Sequence, residues 1–165
     1  MGAENIELGY CEAKYNNIDL GLTKGGCVVT ITPNLYEITV DKYGKTPIDD
    51  RDLGYSVKAT VPLVEKTLSN LKVAFPFGDL SGGKLKLGGK LGGSIAKYEL
   101  NLHPAEMDAG DKSRDVTIYK AASVNEVAIG HTNEGERIIQ VTFKGYIDTT
   151  RPKGDQLVRF GLDGS

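Results

Sequence analysis

The sequence of 165 residues contains no tryptophan, two cysteines, two histidines and no apolar run long enough to span a bilayer. Because tryptophan is absent and only 7% of the residues are aromatic, a stacking groove for single-stranded nucleic acid is not expected. Twenty basic and 22 acidic residues give a formal net charge of −2. The chain therefore lacks the basic excess that neutralises phosphates or attracts a protein to an anionic membrane.

The two cysteines, Cys11 and Cys27, are too few to form a disulfide framework in a chain of this length. Both lie in segments of alternating apolar residues, which favours small buried hydrophobic side chains over reactive thiols. The first ten residues have no basic flank and no apolar run, so a signal peptide is not expected. A reducing cytoplasm is the expected setting in which the chain folds.

No group of residues in the sequence has a catalytic or metal-binding pattern. His103 and His131 have no cysteine or acidic residue at the spacing of metal ligands. The aspartates of segment 49–52 lie in a polar stretch, where they would be solvated rather than paired in a pocket. Segment 78–94 has glycines at P-loop spacing, but Gly89 stands where the lysine is required and no helix follows, so a flexible surface hairpin is expected there. The sequence therefore predicts no enzymatic activity, no metal and no cofactor.

Alternation of apolar and polar residues with a period of two dominates the chain and predicts about seven strands. A phase shift at Pro33-Asn34 predicts a bulge or tight bend between two pieces of strand. Only segment 62–75 has apolar residues at helical spacing, and Pro76 is expected to end that helix. The predicted fold is mainly β, a β-sandwich or small barrel with one flanking α-helix.

The length of the chain predicts a single domain over residues 1–165. Two long loops are predicted, one over 41–53 with seven charges and one over 78–94 with seven glycines. A C-terminal extension begins at residue 150 and carries an apolar patch that is expected to dock. Long loops inside a compact domain are usually functional or mobile, because ordering them costs entropy.

Segment 25–76 resembles the major tail tube proteins of siphophages. The resemblance lies in the order of four elements: the strand GGCVVTI, the loop DKYGKTPID, the strand from Tyr55 to Val61, and the segment PLVEKTLSNL. The tripeptide Leu102-His103-Pro104 is similar as well. Outside these segments the likeness is one of pattern only, and the shared motifs belong to a scaffold without catalytic residues.

The resemblance implies a tail-tube fold whose subunits form homo-hexameric rings, stacked into a hollow conduit for DNA ejection. The implied partners are further copies of the chain together with the tape-measure, tail-tip and tail-terminator proteins. DNA would pass through without specific binding, and neither a membrane nor a small-molecule substrate is expected. The subunit would assemble in the host cytoplasm and end in the tail of the virion.

Within this hypothesis, loop 41–53 is the candidate contact between stacked rings. Its expected contact residues are Tyr43, Ile48, Asp49, Asp50 and Arg51. The loop is long, carries charges of both signs and includes two apolar anchors. A solvated hairpin loop with no partner is the alternative interpretation of the same residues.

Two other functions stay open from the sequence. A tube or terminator ring protein of a contractile injection machine would share the fold and the motifs. A monomeric β-barrel that binds a small apolar ligand belongs to a different class, and it would also have about seven strands and one helix. Such a barrel should stay monomeric and enclose an apolar cavity.

Overall fold

A computed structural model describes residues 10–88, 91–108, 110–129 and 138–161 of the protein. Over these residues the protein is mainly β with one α-helix, as predicted. The strands are β1 (Cys11–Tyr15), β2 (Ile18–Asp19), β3 (Val28–Thr39), β4 (Pro47–Leu63), β5 (Asp79–Ser81), β6 (Lys84–Lys86), β7 (Tyr98–Pro104), β8 (Val116–Ser123), β9 (Ile139–Tyr146) and β10 (Val158–Phe160). The helix is α1 (Leu68–Ala74). The described residues thus form more strands than the seven predicted, because the shortest ones are too short to show alternation.

Eight of the strands form one antiparallel sheet in the order β2-β1-β7-β8-β9-β4-β3, with β10 paired to β8. The segment after β2 connects the two sides of this sheet. The amide of Leu20 donates to the carbonyl of Ala13 in β1 at 3.0 Å, and the amide of Val64 donates to the carbonyl of Leu22 at 3.0 Å. The hydrogen bonding therefore continues from β1 through this segment to the end of β4, and the sheet curls as in a small barrel.

The core lies inside the curl of the sheet. Its residues, each 7% exposed or less, are Ala13, Tyr15, Leu20, Val57, Ala59, Val61, Leu63, Ala74, Leu100, Leu102, Ile118, Ala121, Ile139, Val141 and Phe143. The rings of Tyr15 and Phe143 have centroids 5.0 Å apart, although β7 and β8 lie between their strands. In a flat sheet these strands would be about 14 Å apart, so the contact requires strong curvature.

Tyr15 completes the core with a polar contact. Its hydroxyl donates to the carbonyl of Ala121 at 2.7 Å, and burial raises the pKa of Tyr15 to about 12. The neutral phenol thus bridges β1 to β8 across the inside of the curl.

The helix is shorter than the predicted segment 62–75. Pro62 and Leu63 belong to β4, where they pair with β9, so the first turn expected at Pro62 is part of a strand instead. Thr67 caps the helix, its side-chain oxygen accepting from the amide of Asn70 at 3.1 Å. The helix ends before Pro76, as predicted, because proline lacks the amide that would continue the hydrogen bonding.

Cys11 and Cys27 form a disulfide, so the prediction of two separate small hydrophobic side chains is wrong. Their Cα atoms are 6.2 Å apart, within the range that a disulfide spans. The bond joins β1 to the residue just before β3, beside the segment that closes the sheet. Sequence spacing carries no sign of this pairing, because only the closure of the sheet brings the two residues together.

The predicted loop 41–53 is correct only in its first part. A 3-10 turn at Asp41–Tyr43 follows β3, but β4 begins at Pro47 and continues without interruption to Leu63. The residues from Pro47 to Leu53 therefore belong to a strand, since pairing with β3 satisfies their backbone groups. Their side chains show no alternation in the sequence because both faces of this part of the strand are exposed.

The other two predicted segments contain regular structure as well. Within 78–94, β5 and β6 pair as a short antiparallel hairpin, as expected for this segment. The extension from residue 150 docks on the sheet through β10, which pairs with the first half of β8. Arg151 lies over the ring of Tyr119 at 3.7 Å from its centroid, and Tyr119 donates a hydrogen bond to Asp155. The extension is thus part of the fold over its described residues.

Candidate assembly interface

The outer parts of β3 and β4 form a two-stranded arm, residues 33–55. β4 pairs with β9 only from Lys58 to Leu63, so over the described residues the strands of the arm pair only with each other. The ten residues from Pro47 to Ser56 span about 34 Å at about 3.4 Å per residue. An isolated two-stranded hairpin is only marginally stable in water, which favours a partner for the arm in the functional state.

The arm carries many exposed apolar side chains and contributes none to the core. Those between 39% and 64% exposed are Leu35, Tyr36, Val40, Tyr43, Ile48, Leu53 and Tyr55. Single apolar residues at a surface need no explanation, but their concentration on one protruding element is typical of a protein interaction site.

The five residues predicted to contact a neighbouring ring all lie on the arm. Tyr43 is in the turn at its tip, and Ile48, Asp49, Asp50 and Arg51 follow at the start of β4. The Nε atom of Arg51 is 3.4 Å from a carboxylate oxygen of Asp49, with both side chains more than half exposed. Such an exposed pair contributes about 0 to 1 kcal/mol. The structure brings the five residues together on one element, and their role in assembly stays a prediction.

The two faces of the arm differ in charge. The register places Glu37 opposite Asp50 and Leu35 opposite Asp52. Because alternate residues of a strand point to the same face, Glu37, Asp50 and Asp52 share one face, named here the acidic face. Sequence analysis grouped the aspartates of segment 49–52 but missed Glu37, since only the strand register shows that it joins them.

The predicted phase shift in β3 lies at the base of the arm and is confirmed. The register between β3 and β4 shifts between Pro33 and Leu35, and Gly54 on the opposite strand has a φ of 102°. That positive φ favours glycine. The bulge separates the part of the hairpin that lies in the sheet from the part that forms the arm.

A groove of about 830 Å³ lies beside the base of the arm. Its apolar lining includes Ile31, Tyr55, Ile147, Leu157 and Phe160. The groove lies where β4 continues past the end of its pairing with β9. Over the described residues, this edge of β4 has no partner strand there. Free backbone groups beside apolar side chains are the surface to which a further strand adds.

A smaller cavity of about 210 Å³ lies between α1 and the first two strands. Its lining includes Tyr15, Ile18, Leu20, Val73 and Tyr98. Sites for drug-sized ligands usually measure about 300 to 1,000 Å³. The cavity therefore gives only weak support to a barrel that binds a small apolar ligand.

His103 forms a buried pair with Asp115. The Nδ1 atom of His103 is 2.6 Å from Asp115 Oδ1, and its Nε2 atom is 3.3 Å from the carbonyl oxygen of Met107. Both neighbours are acceptors, so the two hydrogen bonds exist together only when both ring nitrogens carry protons. The hydrogen bond to Asp115 is the main cause that raises the pKa of His103. When it is protonated, His103 thus joins β7 to Asp115, directly before β8, and to the turn at Met107.

This pairing predicts that the stability of the protein depends on pH. Because the folded-state pKa of His103 is raised above 6.5, its stabilisation is fully present below about pH 6.5. It is lost as the pH rises through the folded-state pKa. Urea denaturation at a series of pH values should show this loss in the wild type, and His103→Gln should flatten the dependence. The variant should also lose about 1.5 to 3 kcal/mol at low pH, the usual contribution of a hydrogen bond to a charged group. An unchanged pH profile in the variant would contradict the assignment.

Over the described residues no group of three or more histidine, cysteine, aspartate or glutamate side chains could hold a metal ion. His131, whose spacing in the sequence predicts no metal site, lies outside the described residues. No helix in the described part of the chain is long and apolar enough to cross a membrane.

No protein-family model matches the sequence, and no curated protein matches it significantly. The arm and its base are the surfaces of the described chain that indicate a function. Over its described residues the chain combines a long exposed hairpin, an apolar groove and strand edges without a partner strand. These surfaces are suited to binding another protein chain.

Proposed function

We propose that the protein is a structural subunit that assembles through its arm into rings, which stack as a hollow tube for DNA ejection. The observation that carries this proposal is the arm itself, residues 33–55, with its exposed apolar side chains and no core residue. A monomer derives no packing from such an element. An assembly would cover its apolar side chains and pair its backbone edges.

The position of the arm supports assembly by a head-to-tail contact. The arm and the sheet are different surfaces of the same chain, so a contact between the arm of one subunit and the sheet of the next gives a heterologous interface. Repeated contacts of that kind close into a ring when the rotation permits. The free edges of β3 and β4 would then be paired across subunits, leaving no open edge around the lumen.

The resemblance to the siphophage major tail tube proteins adds the finer expectations. It suggests the tail-tube fold, hexameric rings, a place in the virion tail, and tape-measure, tail-tip and tail-terminator partners. A net charge of −2 is compatible with a lumen that conducts DNA without holding it.

Electron microscopy tests the proposed function directly. The purified protein, concentrated and imaged in negative stain, is expected to form rings or hollow tubes of uniform diameter, with matching masses in size-exclusion chromatography and light scattering. Where the protein stays monomeric, a tail-tip complex from its own gene cluster should start polymerisation. A monomer that stays inert in the presence of that complex would overturn the proposal.

The same images separate the neighbouring hypotheses. A terminator ring protein should stop at single rings, and a tube protein of a contractile machine should bind a sheath protein along its length. A persistent monomer that takes up a small apolar ligand in the cavity beside α1 would favour the ligand-binding barrel instead.

A further inference from the structure

The outer surface of the sheet carries a cluster of lysines around Tyr146, named here the lysine face. Lys58 of β4 lies directly opposite Lys144 of β9, and Lys120 of β8 is the register partner of Tyr146. The Nζ atoms of Lys97 and Lys144 are 4.9 and 5.6 Å from the centroid of the Tyr146 ring. Two lysines thus lie over one aromatic ring, and two more lie opposite neighbouring positions on the same face of the sheet.

The lysine face keeps a positive excess. Like charges directly opposite each other in a sheet are destabilising, and Lys58 and Lys144 form such a pair in an exposed position. Asp148 lies 3.8 Å from the Nζ atom of Lys120 and offsets one of the four charges. An anionic partner on this surface would relieve the repulsion.

The acidic face of the arm is the counterpart of the lysine face. Glu37 and Asp50 are also directly opposite each other, and Asp52 lies two residues further along β4. Within the part of the chain that the structure describes, none of these three carboxylates forms an ion pair. One chain therefore presents a cross-strand pair of carboxylates and a cross-strand pair of ammonium groups, each spaced by the width of one strand pair.

The two faces cannot meet within one chain. Asp50 and Lys58 are eight residues apart on the same continuous strand β4, which places them about 27 Å apart. We propose that the lysine face receives the acidic face of the arm from a second copy of this chain. This inference rests on the proposed function and names the receptor of the arm.

Zero-length cross-linking tests the pairing without requiring a tube. A carbodiimide joins a carboxylate to an amine only when the two are in contact, so a mixture of 14N- and 15N-labelled protein identifies links between chains. Mass spectrometry is expected to find mixed-isotope peptides that link Glu37 or Asp50 to Lys58 or Lys144. Absence of these links, in oligomers or in a concentrated monomer, would overturn the inference.

Charge reversal tests the same pairing in assembly. Glu37→Lys with Asp50→Lys, and separately Lys58→Glu with Lys144→Glu, should each weaken association at low salt by about tenfold or more, because each places like charges in contact. Combining all four substitutions in one chain should restore association. Failure of the combined chain to recover, while its thermal unfolding matches the wild type, would count against the pairing.

A matched control reverses the same number of charges elsewhere. Lys84→Glu with Lys86→Glu changes two exposed lysines of the β5-β6 hairpin and should leave association unchanged. If the wild type forms tubes and every reversal variant does too, the arm has another receptor and only this inference fails. If the wild type forms no tube with a tail-tip complex, the proposed function fails, while the cross-links still decide whether the two faces meet.

Discussion

Replacing residues 33–55 of the arm by an Asn-Gly turn is expected to abolish ring and tube formation while the remaining chain still folds. The turn would connect Thr32 to Ser56, which are register partners in the hairpin, and Asn-Gly suits a two-residue connection between antiparallel strands. The residues removed contribute no core side chain. The free energy of unfolding should therefore change by less than about 1 kcal/mol.

Two measurements check this excision. Negative-stain microscopy and sedimentation velocity report assembly, and urea denaturation followed by circular dichroism reports folding. A milder variant, Tyr43→Ala with Ile48→Ala, keeps the arm but removes its two predicted anchors, and it should weaken assembly without eliminating it. Tubes of normal diameter from the excised chain would show that the arm is not the assembly element.

The sequence predicted those features of the fold that depend on local patterns. The phase shift at Pro33-Asn34 is visible because a bulge changes which residues are apolar on each side. The end of the helix before Pro76 follows from the missing amide of proline. The mainly β class follows from alternation in strands with one buried face, as along β9.

The features that the sequence did not predict depend on contacts between distant segments. The first half of β4 lacks alternation because both of its faces are exposed, so its strand character is visible only through pairing with β3. The disulfide needs the closure of the sheet, and the acidic and lysine faces need the strand registers. For the candidate interface, the sequence predicted the residues at the tip of the arm and its aspartates. It did not predict Glu37 or any residue of the lysine face.

One half of strand β4 lies in the core and the other half lies in the arm. From Val57 to Leu63 it is part of the buried core, with the exception of Lys58 and Thr60, which face outward. From Pro47 to Ser56 the same strand is exposed and belongs to the arm or its base. Because the strand is continuous, its core half fixes the direction of the arm. In the proposed assembly, core packing would therefore fix the geometry of the contact, and side chains that the core does not use would set its affinity.

That division leads to the second prediction, which concerns Phe143. Phe143 is completely buried on β9 and contacts Tyr15 across the curl of the sheet. Phe143→Ala should cost about 3 to 5 kcal/mol, because it removes buried apolar surface and leaves a cavity that the strands cannot close. Single domains are usually stable by only about 5 to 15 kcal/mol. The variant should therefore unfold at much lower urea concentration, and it should lose assembly as a consequence of losing the fold.

The control for this prediction is the truncation of an equally large aromatic residue on the arm. Tyr36 is exposed and outside the core, so Tyr36→Ala should change the free energy of unfolding by no more than about 0.5 kcal/mol. The two variants thus separate the roles of the chain: Phe143→Ala removes stability and assembly together, whereas variants of the arm weaken assembly alone. Equal losses of stability in both variants would mean that the arm is packed against the core and is not an element held ready for a second subunit.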